Sequence, residues 1–178
     1  TGRLKDRVIL ATASDLNSAV EVAKQAQPAW ANTNPQRRAR VLMRFIDLIN
    51  SEMDSLAALL SSEHGKTIID AKGDIQRGVE AVEFYCGIPH LMKGEFTDGA
   101  GPSIDMYSMR QPLGVVAAVT PFNFPGMIPL QKIAPAIACG NALVLKPSER
   151  NPGVPLRLAE LLIEAGLPPG VMNVVNGD

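Results

Sequence analysis

From the N-terminus to about residue 94, apolar positions recur every three to four residues, the period of helices with one buried face. "SDLNSAVEVAKQAQPAW" places Leu16, Val20 and Ala23 at that spacing behind Ser14, which reads as the N-cap. "NPQRRARVLMRFIDLIN" predicts a second helix, with Asn34 as cap and Pro35 at the first helical position. Its Val41, Leu42, Phe45, Ile46 and Ile49 form one apolar stripe. A third helix restarts at Ser51 and runs into Gly65, a natural C-terminal stop. "IIDAKGDIQRGVEAVEFYCGIPHLMKG" predicts a fourth helical stretch, ending near Pro89.

The period then changes. "FTDGAGPSIDMYSMRQP" alternates and predicts a two-stranded ribbon, and the wholly apolar run after Pro112 predicts a buried strand at Val115–Val119. A helix over about Gly126–Ala138, a strand at Ala142–Leu145, a helix over about Gly153–Ala165 and a strand at Val171–Val175 follow. Short apolar strands separated by helices indicate a parallel sheet with right-handed crossovers. The expected class is therefore α/β: N-terminal helices, a β-hairpin, then the first βαβαβ of a Rossmann-like parallel sheet.

Composition narrows this picture by exclusion. Across 178 residues, 46% hydrophobic and 20% charged describes an ordinary globular protein. A net charge of −1 with dispersed basic residues, and only 4% aromatics, speaks against nucleic-acid binding. No apolar stretch is long enough to span a bilayer as a helix. Cys86 and Cys139 make neither a disulfide framework nor a metal cluster, so a reduced, cytoplasmic compartment is expected (the mitochondrial matrix in a eukaryote). The chain begins without methionine and stops just after an apolar run, and is read as a piece of a longer polypeptide.

Ligands of open parallel sheets bind beyond the carboxyl ends of the strands. "TPFNFP", "KPSER" and "NGD" occupy those ends, so Asn123, Lys146, Glu149 and Arg150 fall on one rim. Lys146 can donate and Glu149 accept hydrogen bonds, which suits the vicinal hydroxyls of a ribose. An acidic residue there favours NAD over its 2′-phosphate form. No G-x-G-x-x-G is present. Plainer readings stand beside these. Lys-Pro-Ser-Glu also suits a solvated turn in which Ser148 or Glu149 starts the next helix, and Asn123 suits a turn asparagine bonding its own backbone. Cys86 and Cys139 read as small buried hydrophobes, and His64 and His90 as surface or helix-end residues. Arg77 reads as a solvated helix residue pairing with Asp74 or Glu80.

The ordered set "PFNFP", "ACGNALVLKPSER" and "GLPPGVMNVVNG", with Phe122 and Lys146 24 positions apart and "EHGKT" upstream, resembles the aldehyde dehydrogenase superfamily along essentially the whole chain. "KPSER" and the R-G-x-E setting of Arg77 resemble the methylmalonate-semialdehyde dehydrogenase subgroup. That resemblance implies oxidation of a carboxylated aldehyde with NAD and coenzyme A and loss of carbon dioxide. It makes Asn123 the oxyanion-hole amide, and Arg77 the partner of the substrate carboxylate. Thr120 and Phe122 would line the nicotinamide side, while Lys146, Glu149 and Arg150 would hold the adenosine end. It also implies a division into 1–94 (helical part of the cofactor domain), 95–112 (oligomerisation hairpin) and 113–178 (start of the NAD-binding sheet), within a homo-oligomer. The family's nucleophilic cysteine and general-base glutamate lie beyond Gly177, so the chain alone is expected to be inactive. Other aldehyde substrates, or a non-catalytic cofactor-binding or assembly module, remain the alternatives.

Overall fold

The computed structural model describes residues 7–178. Helices α1 (Ala13–Ala31), α2 (Pro35–Ser51), α3 (Met53–His64), α4 (Ile68–Tyr85) and the single turn α5 (Ile88–Leu91) precede a hairpin of β1 (Phe96–Gly101) and β2 (Ile104–Tyr107). Then come β3 (Val115–Val119), α6 (Met127–Ala138), β4 (Ala142–Lys146), α7 (Gly153–Glu164) and β5 (Met172–Val174). Strands β3, β4 and β5 lie side by side in that order, all parallel. The α/β class and the order helices, hairpin, βαβαβ are as expected.

Three local expectations change. Helix α1 is capped by Thr12, not Ser14: Thr12 Oγ1 accepts from Asp15 N at 3.3 Å, and the Asp15 carboxylate accepts from Thr12 N at 2.8 Å. This reciprocal box satisfies two otherwise orphaned donors, which Ser14 alone would not. The fourth helical stretch is interrupted at Cys86 and Gly87, and Pro89 belongs to the separate turn α5. Strand β3 is not buried. Among the described residues it pairs only with β4, and Val119 is 74% exposed, whereas Leu143, Val144 and Leu145 of the central strand are covered on both faces. Helix α1 packs on all three strands, while α6 and α7 pack against both the sheet and the layer formed by α2, α3 and α4. Asn34 caps α2 and left-handed Gly65 (φ 88°) ends α3, as the sequence indicates.

Helix α6 is fixed from three sides. At its start Met127 N donates to Asp74 Oδ1 of α4 at 2.7 Å. At its end the Ile137 carbonyl accepts from Trp30 Nε1 at 2.9 Å, and the Ala138 carbonyl accepts from Arg38 Nε at 2.8 Å. A carboxylate at the N-terminus and a guanidinium at the C-terminus both complement the helix dipole. Along its length α6 meets α4 at Gly78, where an added Cβ would lie 2.5 Å from Leu130 Cδ1 and 3.1 Å from Met127 Cα. No side chain larger than hydrogen fits that approach.

Gly78→Ala is accordingly expected to cost about 1–3 kcal/mol through overpacking. Gly73→Ala, on the same helix but with no atom within 4 Å of the new Cβ, should instead gain about 0.5–1 kcal/mol. Urea unfolding of both variants checks this. A stabilising Gly78→Ala would show that the α4–α6 distance is not set at that residue.

Candidate functional site

The three strand ends are stitched into one rim. Thr120 N donates to the Lys146 carbonyl at 3.0 Å, carrying the β3–β4 ladder one residue further. Lys146 Nζ donates to the Gly177 carbonyl at 2.7 Å, and Ser148 pairs with Gly177 in a parallel bridge. Glu149 Oε2 lies 3.9 Å from Lys146 Nζ, and Glu149 Oε1 lies 3.6 Å from Arg150 Nε. The Arg150 guanidinium stacks over the Phe122 ring, 4.8 Å from its centroid. Thr120, Phe122, Lys146, Glu149 and Arg150 are thus brought together.

A hydrogen bond from its own backbone N–H, with the Lys146 and Arg150 charges adding to it, holds the Glu149 carboxyl below the usual carboxylate range. Ionised at neutral pH, it offers acceptors only. Glu149 and Arg150 do form a turn, in which Ser148 Oγ accepts from Arg150 N at 3.3 Å, but the solvated, helix-starting part of that reading fails on two counts. Ser148 is buried, and α7 is opened by the Glu63 carboxylate, which accepts from Gly153 N at 3.0 Å.

The connection from β3 to α6 is held on both sides of Asn123. On one side the Phe122 carbonyl accepts from Asn151 Nδ2 at 2.8 Å. On the other, Lys66 Nζ sits 4.1 Å from the centre of the Phe124 ring. Between them Asn123 is exposed, and no hydrogen bond of its side chain is found among the described residues. It is not a turn asparagine tied to its own backbone. Its amide is an available donor on a fixed loop.

Arg77 lies on the same side as Phe124. Both line a cleft of about 470 Å³ with Lys66, Asp70 and Asp74. The expected pairing of Arg77 with Asp74 does not occur, because Asp74 binds Lys66 at 2.8 Å and the Met127 amide. Arg77 is exposed and forms no ion pair among the described residues, with Glu80 or otherwise. A second cleft, of about 340 Å³, opens at the strand ends between Leu16, Val119, Lys146 and Asn176.

For a dinucleotide, the ionised Glu149 beside Lys146 fits ribose hydroxyls. Thr120 Oγ1 and Asn176 Oδ1 are buried polar atoms without a protein partner at this edge, which suits a polar ligand. Asn151 and Asp74 act through partners 29 and 53 residues away, so no local pattern marks them, while Lys66 lies within "EHGKT" without a role that the local pattern discloses.

Cys139 follows the last turn of α6, at the end of the sheet away from Asn123, and burial pushes its thiol up. Burial also raises the Cys86 thiol. Both cysteines are half-buried, less enclosed than expected, and neither is an activated nucleophile. His64 is the last residue of α3 and His90 is exposed in α5. Among the described residues no helix is long and apolar enough to cross a membrane, and no group of three or more His, Cys, Asp or Glu is placed to hold a metal.

Comparison with known proteins gives a consistent result. The sequence profile of the aldehyde dehydrogenase family matches residues 1–178. A malonate-semialdehyde dehydrogenase of Pseudomonas aeruginosa is 51% identical over 178 residues, covering 100% of this chain and 36% of that protein. The mitochondrial acylating methylmalonate-semialdehyde dehydrogenase of Arabidopsis thaliana is 48% identical over 177 residues, covering 99% of this chain and 29% of that protein. A protein of Sinorhizobium meliloti, described as a methylmalonate-semialdehyde dehydrogenase and crystallised with NAD, superposes with a TM-score of 0.94 at 69% identity. That match covers 96% of this chain and 35% of the other. The chain belongs to the aldehyde dehydrogenase family and corresponds to the N-terminal part of these longer relatives, about a third of their length.

The Asn151 contact carries its own expected outcome. Asn151→Ala leaves the Phe122 carbonyl unpaired and should cost about 1–3 kcal/mol. Amide exchange should quicken within residues 120–126 ahead of the rest of the sheet. Exchange that rises uniformly would show that Asn151 does not hold the loop in particular.

Proposed function

We propose that this chain forms the cofactor rim and oxyanion donor of an NAD-dependent dehydrogenase. In this reading the enzyme converts malonate or methylmalonate semialdehyde to an acyl-CoA, with loss of the substrate carboxylate as carbon dioxide. One observation carries the reading: the unbonded amide of Asn123 stands between the Arg77 cleft and the ribose-suited rim. The activities of the relatives, and NAD in the Sinorhizobium meliloti structure, support it.

In this reading Lys146 and Glu149 hold the ribose hydroxyls, Arg150 flanks the adenosine end, and Thr120 and Phe122 border the nicotinamide. NAD, when bound, supplies the hydride acceptor. Asn123 donates to the aldehyde oxygen as negative charge develops there, and a pre-positioned neutral donor does this without reorganising. The Arg77 guanidinium takes the substrate carboxylate in a fork. Neither cysteine of this chain is placed or activated for attack. In this reading the nucleophile and general base come from other parts of the full-length protein, and this chain alone is inert. The hairpin exposes Phe96, Ile104, Met106 and Tyr107, which suits its use between subunits of a homo-oligomer.

Arg77→Leu in the full-length enzyme tests the substrate assignment. A hydrogen bond to a charged group contributes about 1.5–3 kcal/mol. The value of kcat/KM for the semialdehyde should then fall roughly 10- to 150-fold, while propanal, without a carboxylate, changes little. Equal small losses for both substrates would point to a simple-aldehyde enzyme instead.

A further inference from the structure

We infer that Lys66 and Asp74 form a positioning pair that sets where the Asn123 amide stands. The inference deepens the oxyanion reading above and rests on it. Lys66 is the single residue between left-handed Gly65, which ends α3, and Thr67, the cap of α4. Its backbone is locked there, because Ser61 Oγ donates to the Lys66 carbonyl at 2.7 Å. The side chain runs inward, 15% exposed, to a carboxylate that is 1% exposed, with Nζ 2.8 Å from Asp74 Oδ2.

Both ends of this buried pair then grip the segment that follows Asn123. The ammonium sits 4.1 Å from the centre of the Phe124 ring, where a desolvated cation is attracted to the ring face. The second carboxylate oxygen, Oδ1, accepts from Met127 N at 2.7 Å. One carboxylate therefore couples the cation on Phe124 to the first turn of α6. The approach is close: a Cβ on Gly126 would lie 3.3 Å from Asp74 Oδ1. Phe124 and Met127 stand one and four positions after Asn123. With Asn151 holding the Phe122 carbonyl, the residue that would donate to the substrate is pinned fore and aft while its own amide stays unbonded.

A merely structural ion pair would affect stability and leave turnover per folded site unchanged. A positioning pair works through Asn123, and a displacement of about 1 Å can cost roughly 100-fold in rate. The test uses the full-length enzyme with NAD, the semialdehyde and propanal, and the variants Lys66→Met, Lys66→Arg, Asn123→Ala and the double Lys66→Met/Asn123→Ala. Lys66→Met should lower kcat roughly 10- to 100-fold for both aldehydes with KM little changed, and Lys66→Arg should restore most of it. Asn123→Ala should cost about 100- to 1,000-fold in kcat, and the double variant should be no slower than Asn123→Ala alone.

If the two losses multiply in the double variant, or if Lys66→Met lowers Tm and leaves kcat intact, the positioning role is overturned. A rise in KM confined to the semialdehyde would overturn it too, making Lys66 a carboxylate contact. An unchanged kcat in Asn123→Ala would instead sink the oxyanion reading itself. Should Lys66→Met fail to fold, Phe124→Leu removes the ring without leaving a buried charge. It must then show the same loss of kcat, absorbed in the same way by Asn123→Ala.

Discussion

The arrangement depends on how one helix is held at its two ends. The free N–H groups at the start of α6 and the free carbonyls at its end are satisfied by side chains from other elements, and with charges of the sign each end prefers. Asp74 serves the start, while Trp30 and Arg38 serve the finish. Arg38 is only 2% exposed, so its charge is tolerable because carbonyls, including those of Ala138, Ala31 and Thr33, receive its donors. Fixing α6 fixes the loop that enters it. Asp74 is also one helical turn before Arg77 on α4, so the bond that anchors the loop places Arg77 beside it. Gly78 then allows the two helices to approach until backbone nearly meets backbone.

The sheet contributes the other half of the site. Parallel strands end together, and here side chains continue the pairing after the regular ladder stops, through Lys146 to Gly177 and Asn151 to Phe122. At that rim the Glu149 carboxylate stands 3.9 Å from Lys146 Nζ, which is itself tied to the Gly177 carbonyl, and 3.6 Å from the Arg150 guanidinium. Phe122 and Phe124 turn to opposite partners, Arg150 and Lys66, and leave the residue between them exposed. The alternation of aromatic, amide and aromatic between two prolines thus reads as a mount for a single donor.

Much of the fold was legible because period and punctuation are local properties. Strand β3 and the cap of α2 follow directly from apolar runs and from Asn-Pro. Thr12 was readable as well, since Asp15 three residues later completes a capping box that Ser14 lacks. The exposure of β3 was not readable, because an apolar run looks the same whether one or two neighbours cover it. The rim could be placed from topology, yet what holds Asn123 could not. Asn151 reaches a carbonyl 29 residues away, and Asp74 an amide 53 residues away. Taken singly, each of these residues resembles any polar side chain on a helix or turn. The oxyanion role proposed for Asn123 rests on the ordered set of family motifs, for periodicity alone fits an ordinary turn equally well.

In the proposed function, α4–α6 packing sets Arg77 and Asn123 to grip the two ends of one short carboxylated aldehyde. A crystal structure of the full-length protein with NAD and malonamate, the stable amide analogue of malonate semialdehyde, examines that most directly. Arg77 should fork the carboxylate at about 2.7–2.9 Å, and the amide oxygen should accept from Asn123 Nδ2 at about 2.7–3.2 Å. A carboxylate held by other groups while Arg77 points to solvent, or an amide oxygen remote from Asn123, would contradict it.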